Sequence, residues 1–431
     1  MSVATSESSI DSLSSSVTEA GPCESHSQQN WIDRFYSRMV MKKLQTLKTG
    51  RLVLRFECNE AVLGDPGSTD SVAFVNVHDC NFFRRLALEG AVGAAESYMD
   101  GEWTSPDLTS VFRVLLQNEA ALQILRTGRF SPVHALRRIE HFRNRNSQSG
   151  SRRNIHEHYD LGNEFFSLFL DESMMYSSAI FPTPESSLVD ASWEKVDRVC
   201  RTLELGPEDD VLEIGTGWGG FACHAARHFG CKVTTTTISD EQHAFAEERI
   251  KAEGLQDRVT LLRSDYRDLT GQYDKLVSLE MIEAVGQKYL PEYFEACDRL
   301  VKDDGAMMLQ AIVMPEQRYD QYVGSVDFIQ KYIFPGGFLP SITEMQTCIK
   351  RNSSFRMLEL KDFGIHYAQT LNHWNQRFHQ RLDEVKEQGF SDRFVRMWRY
   401  YLCYCEAAFL ERATGLVQTV WARPGSQLGR L

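Results

Sequence analysis

Four short stretches of this sequence carry residue types that bind or activate a small molecule. The first, Glu213-Ile214-Gly215-Thr216-Gly217-Trp218-Gly219-Gly220, follows the apolar Val211-Leu212 and precedes the helical pattern Phe221-Ala222-Cys223-His224-Ala225-Ala226. Glycines between a strand and a helix let the backbone approach a ligand and aim the first helical amides at it. The second, Thr237-Ile238-Ser239-Asp240-Glu241-Gln242, ends the next apolar run. A dinucleotide site wants an acid about 20 residues after the glycines, on the ribose hydroxyls; here Thr and Ser precede the acids. The third, Ser264-Asp265-Tyr266, offers a carboxylate for an adenine amino group and a ring to stack on it. These three suit an adenosine ligand without a pyrophosphate, such as S-adenosylmethionine, better than NAD; the plain alternative is loops capped by Thr, Ser and Asp. The fourth is Glu283, just past Leu276-Val277-Ser278-Leu279. An acid there lies where open α/β sheets bind ligands, or it caps the following helix.

The elements that must position these residues are legible. Val211–Ile214, Val233–Ile238, Val259–Leu262, Leu276–Leu279 and Ala306–Ala311 are apolar and β-branched, and the stretches between them are long enough for crossover helices. That alternation predicts a doubly wound, mostly parallel sheet. Upstream, Gly50–Phe56 and Ser71–Val77 read as strands and Asn81 opens a helix ending near Gly101, a small α+β domain over 31–125. Residues 1–30 hold ten serines and few apolar residues, and read as a disordered tail. Residues 126–153 carry eight arginines against the single acid Glu140. They form either a solvated linker or a contact with anionic lipid headgroups.

Composition excludes several classes. A length of 431 residues is too great for one small module, and a hydrophobic share of 42% is enough to bury a core. The net charge of -12 argues against a nucleic-acid binder. The ten cysteines contain no CxxC pair, so neither a metal site nor a disulfide framework is expected, and the thiols read as reduced and cytoplasmic. No run approaches the roughly 20 apolar residues that span a bilayer, and residues 1–30 lack a signal-peptide pattern.

The chain resembles the cyclopropane-fatty-acyl-phospholipid synthases and their mycolic acid cyclopropane synthase relatives. The resemblance runs through Asn154-Ile155-His156-Glu157-His158-Tyr159-Asp160-Leu161-Gly162-Asn163-Glu164-Phe165-Phe166, Met175-Tyr176-Ser177-Ser178, the glycine turn, Met281-Ile282-Glu283-Ala284-Val285-Gly286, Tyr332-Ile333-Phe334-Pro335-Gly336-Gly337, Gly364-Ile365-His366-Tyr367 and Tyr400-Tyr401-Leu402-Cys403-Tyr404-Cys405. These motifs occur in the family's order across 154–424, and Gly93–Trp103 is similar to the N-terminal domain of the phospholipid-acting branch. The resemblance implies a Rossmann-like S-adenosylmethionine-dependent methyltransferase domain at 154–424, a lipid-associated domain at 31–125 and a basic linker at 126–153. It also implies a peripheral enzyme at the inner face of the membrane, with a homodimer possible.

The implied reaction adds a methylene group from S-adenosylmethionine to a cis double bond in a membrane phospholipid. Matching positions assign Tyr176, Ser177, Glu213, Gly215, Gly217, Gly219, Thr237, Gln242, Asp265 and Tyr266 to the cofactor. Glu283 and Tyr367, with the backbone of Ile312, match residues that hold a bicarbonate ion, the family's proposed base. Cys405 matches a cysteine sometimes given a catalytic role, though a helix-borne cysteine is more often a small hydrophobe.

Two departures touch the anion site: Ser178 stands where relatives often have cysteine, and Gln310 where they often have histidine. Neither can carry an imidazolium charge. Glu280 is also unexpected, since a small residue suits that position; it either faces the pocket or caps the strand toward solvent. Phe165, Phe166 and Phe169 read as core or as an acyl entrance, and Tyr332, Phe334, Phe338 and Leu339 as a lid, a channel wall or a packed loop. A rival reading is an alkene methyltransferase giving methyl-branched chains. A third, from another class, is a non-catalytic adenosyl-ligand or lipid-binding module.

Overall fold

The computed structural model describes residues 31–56, 59–65, 67, 71–118 and 161–429. The serine-rich tail, the basic stretch 126–153 and the start of the motif at Asn154 lie outside the described residues.

The N-terminal region comprises α1 (Trp31–Leu44), β1 (Arg51–Phe56), β2 (Asn59–Gly64), β3 (Val72–Val77), α2 (Asn81–Met99), β4 (Trp103–Thr104) and α3 (Leu108–Leu116). Its sheet has the order β2-β1-β3-β4. β1 runs antiparallel to β2 and parallel to β3, from Arg51↔Val72 to Phe56↔Val77. Both expected strands and the expected helix are present; β2, β4, α1 and α3 are additional.

The larger region opens with α4 (Asn163–Ser167) and α5 (Leu188–Thr202). The alternation then runs β5 (Asp210–Ile214), α6 (Gly220–His228), β6 (Lys232–Thr236), α7 (Asp240–Ala252), β7 (Val259–Leu262), β8 (Tyr273–Leu279), α8 (Leu290–Leu300) and β9 (Val301–Val313). After α9 (Glu316–Val323), α10 (Phe328–Tyr332) and α11 (Ile342–Asn352) come β10 (Arg356–Asp362), α12 (Gly364–Gln380), α13 (Leu382–Glu387), α14 (Asp392–Leu410) and β11 (Gly415–Ala422). The sheet order is β10-β11-β9-β8-β5-β6-β7. β7, β6, β5, β8 and β9 are parallel, and β11 enters antiparallel between β9 and β10. All five expected strands are found in this Rossmann-like sheet, and the order reverses at β5, so the glycine turn sits at a switch point.

One apolar core joins the two regions. Phe165, Phe166 and Phe169 are fully buried in it with Phe378 and Trp398, each worth roughly 1.5–3 kcal/mol of burial. They are packing residues and do not form an acyl entrance. Polar contacts fix the N-terminal region on α14 and α10: Arg113 Nε donates to Glu411 at 2.6 Å, Arg393 Nε to Asp100 at 2.9 Å, and Lys331 Nζ to Glu96 at 2.6 Å.

Candidate active site

The loop leaving β5 is shaped by its glycines. Gly215 has φ +106, and a Cβ there would lie 3.2 Å from Met281; Gly217 has φ +53 and open space where a Cβ would be. Both φ values favour glycine. Behind them, Thr235 Oγ1 donates to Glu213 Oε2 at 2.6 Å, and the amides of Gly215 and Thr216 donate to the Thr236 carbonyl. After β6, Thr237 Oγ1 donates to Gln242 Oε1 at 2.9 Å, while Ser239 caps α7. After β7, the buried Asp265 carboxylate pairs with Arg267 at 2.9 Å, and the Tyr266 hydroxyl is buried without a partner.

These residues open onto one cavity of about 870 Å³. Tyr176, Ser177, Glu213, Gly215, Gly217, Thr237, Gln242, Asp265 and Tyr266 all line it. Gly219 does not line it; it is the N-cap of α6 and faces Ala246. The open space beside Gly217, where a Cβ would meet nothing, and the unpartnered Tyr266 hydroxyl fit an adenosyl ligand. The Tyr176 hydroxyl lies 3.0 Å from that of Tyr401.

Glu280, Glu283, Ile312, Tyr367 and Cys405 line the same cavity. Glu280 Oε1 accepts the Ser178 amide at 2.8 Å and Gln310 Nε2 at 2.6 Å, and Tyr367, in the same lining, favours its charged form. Glu283 Oε1 accepts the Ile312 amide at 2.5 Å, and its Oε2 is buried without a partner. Both side chains retain partial exposure, yet protein encloses them, so the exposed area faces the cavity. Ser178 and Gln310 do not line the cavity; they stand one layer behind Glu280.

The protons follow from these contacts. Arg198 donates to Gln418 Oε1, Gln418 donates to Gln310 Oε1, and Gln310 donates to Glu280. Because arginine can only donate, the orientation of each amide along this line is forced, and Glu280 Oε1 must accept. Burial pushes the Glu283 carboxyl up to about 8, reinforced by the charge on Glu280. Glu283 is therefore the neutral member of the pair. Burial also raises Glu280, opposed by Gln310, Lys195, Ser178 and Tyr367, which favour its charged form. Tyr367 stays protonated because burial and Glu280 raise it well above its usual value. Burial raises Cys405 as well, so it is a thiol and no nucleophile.

Lys195, absent from the sequence expectations, is fully buried and donates to Ser177 Oγ at 2.6 Å. Burial lowers it to about 8, opposed by Glu280, Asp171 and Glu213. Its signal was available: Leu188, Ala191, Ser192, Lys195, Val196 and Val199 form the buried stripe of α5, and a lysine on such a stripe is unusual.

The expected bicarbonate does not fit. Of the groups assigned to it, Ser178 and Gln310 donate to Glu280, Tyr367 favours the Glu280 carboxylate, and the Ile312 amide donates to Glu283. A further anion would face a carboxylate already seated among those donors.

The rest of the lining mixes apolar side chains with polar ones such as Glu89, Arg318, Asp320 and Gln330. Leu44, Leu52, Leu54, Leu86 and Ala91 from the N-terminal region line the cavity, as do Tyr401, Tyr404 and Leu371. Phe334, Phe338 and Leu339 form a wall, and Tyr332 is anchored through its hydroxyl to Glu96 at 2.7 Å. Among the described residues there is no cluster that could hold a metal ion.

Comparison with known proteins places this geometry. The family model described as Mycolic acid cyclopropane synthetase matches residues 146–419. Tuberculostearic acid methyltransferase UfaA1 of Mycobacterium tuberculosis is 41% identical over 353 residues, 79% of this chain and 81% of that protein. Cyclopropane-fatty-acyl-phospholipid synthase of Escherichia coli K12 is 39% identical over 357 residues, 81% of this chain and 88% of that protein. Among solved structures, mycolic acid cyclopropane synthase CmaA1 complexed with SAH and CTAB superposes with a TM-score of 0.59 at 26% identity, covering 63% of this chain and 98% of that one. Sequence, fold and site agree that the chain belongs to the mycolic acid cyclopropane synthetase family of S-adenosylmethionine-dependent, lipid-modifying enzymes.

Proposed function

We propose that the protein transfers a methylene group from S-adenosylmethionine to the cis double bond of an unsaturated acyl chain in a membrane phospholipid, forming a cyclopropane. The observation that carries this reading is one cavity lined by the glycine turn, the Glu280–Glu283 pair and apolar side chains of the N-terminal region. S-adenosylmethionine supplies an electrophilic methyl on a sulfonium. An alkene is a weak nucleophile, so the walls must hold it in line and keep water from the cation that follows. Tyr176, Phe334 and Tyr401 supply aromatic faces suited to a cation, and Glu280 is the basic group in the same lining.

Membrane contact is part of the proposal. No helix among the described residues is long and apolar enough to cross a membrane. On α1, Trp31, Phe35 and Met39 are exposed at four-residue spacing, with Arg34, Arg38 and Lys42 also exposed on adjoining positions. Apolar and basic residues on one helical face suit an anionic bilayer surface. Leu44, at the end of α1, lines the cavity, which relates that surface to the acyl channel.

A second reading, a methyl-branched or methylene-bearing product, is favoured by the 41% identity to tuberculostearic acid methyltransferase. It forms the same cation and loses a different proton. Proton NMR of acyl chains after incubation with S-adenosylmethionine separates the two: upfield ring protons support the cyclopropane, and vinyl or methyl-doublet signals support the branch.

A further inference from the structure

We propose that Glu280 is the enzyme's built-in anion and the proton acceptor of ring closure, so that the reaction requires no bicarbonate. The inference rests on the functional reading above and deepens it.

Three observations carry it. Glu280 takes the Ser178 amide and the Gln310 side chain, and Tyr367 favours its charged form, so groups that would cradle a free anion already serve a carboxylate of the chain itself. The Arg198–Gln418–Gln310 line holds Glu280 Oε1 as an acceptor, as a base requires. The third is the backbone: Glu280 has φ +53, one of four non-glycine residues with positive φ among the described residues. Glycine would adopt that conformation without strain, whereas a β-carbon there is strained. A glutamate is kept where the backbone favours glycine, and its carboxylate is what it adds.

The step balances. The alkene π electrons form a bond to the methyl carbon as the carbon–sulfur bond breaks, leaving S-adenosylhomocysteine and a carbocation on the neighbouring carbon. A Glu280 oxygen takes one proton from the transferred methyl, and the released C–H electron pair closes the ring. Glu280 is then a carboxylic acid and returns its proton to solvent as product leaves. Glu283, neutral and beside it, holds the Ile312 amide and adds no second charge.

The test compares wild type with Glu280→Gly and Glu280→Gln in buffer purged of carbon dioxide, with and without added bicarbonate. Wild type is expected to turn over equally in both. Glu280→Gly relieves the backbone and should fold, so its melting temperature should match or exceed wild type; its kcat should fall about 100-fold or more and recover at least about tenfold with bicarbonate, a rescue that structural damage would not give. Glu280→Gln fills the site and should not be rescued. A wild-type rate that collapses on purging and returns with bicarbonate overturns the inference, as does full activity of Glu280→Gly without it. ¹³C-bicarbonate NMR gives an arm independent of turnover: binding to Glu280→Gly but not to wild type is expected, and saturable binding to the wild-type site contradicts the proposal. Wild type that methylates no lipid under any condition would instead remove the functional reading, and the NMR arm would still decide how the anion site is filled.

Discussion

Glu280 and Gln310 are joined twice: the Glu280 amide donates to the Gln310 carbonyl at 2.8 Å, and Gln310 Nε2 donates to Glu280 Oε1 at 2.6 Å. The first bond ties the end of β8 to β9, and the second holds the carboxylate against the cavity. Gln310→Leu keeps the size and removes one donor to the charged form, so the Glu280 carboxyl must rise. The acid limb of the kcat/KM profile should move to higher pH and kcat should fall about tenfold. An unmoved limb would separate Glu280 from the chemistry.

Lys195 is the buried cation nearest this chemistry, bonded to Ser177 and acting on Glu280 through its charge. Lys195→Met keeps the stem and deletes the charge. Affinity for S-adenosylmethionine, measured by calorimetry, should weaken about tenfold through the loss of the Ser177 bond, and the acid limb should again rise. The conservative Lys195→Arg should not restore both, because a guanidinium does not fit a site built for one ammonium.

Stability should depend on pH in a definite direction. Glu213 and Glu283 are raised to about 8 from 4.5, both chiefly by burial. Below pH 4.5 they are protonated folded or unfolded; as pH rises to about 8 the unfolded chain releases protons that the folded state keeps, so stability declines. Lys195, lowered to about 8 from 10.5, works in the opposite sense above pH 8, where the unfolded chain holds the extra proton. Urea midpoints should fall from pH 5 toward 8 through these two acids, and Glu283→Gln should make the decline shallower.

The apolar lining from the N-terminal region should measure acyl length. Ala91 lines the cavity and is only half-buried, so a larger side chain can be accommodated. Ala91→Phe should raise KM about tenfold for long acyl chains and leave shorter ones nearly unchanged. Equal effects at all lengths would place the chain elsewhere.

The exposed face of α1 should bind membrane. Trp31 and Phe35 are 75% and 57% exposed. Trp31→Ser with Phe35→Ser should reduce sedimentation with anionic vesicles about tenfold or more, while turnover of detergent-dispersed lipid persists. Undiminished binding would move the contact to another surface.

The parallel strands and the glycine turn were legible because each is local: a β-branched run followed by small residues and a helical pattern. β2 was not, because Asn59 and Glu60 dilute its short apolar run. The role of Glu280 lay beyond sequence reasoning, since its direction depends on a left-handed backbone and on Gln310 brought alongside from β9. The aromatic run at Phe165 had two readings at equal spacing, and only the packing against Trp398 and Phe390 shows it to be core.

The most direct test of the central claim uses S-adenosylmethionine with a trideuterated methyl group, incubated with the purified protein and vesicles of a cis-unsaturated phospholipid. Mass spectrometry and NMR of the acyl chains should show two of the deuterium atoms retained in a cyclopropane ring, the third having left as the proton that the carboxylate removes. A lipid fraction carrying no deuterium would contradict the account.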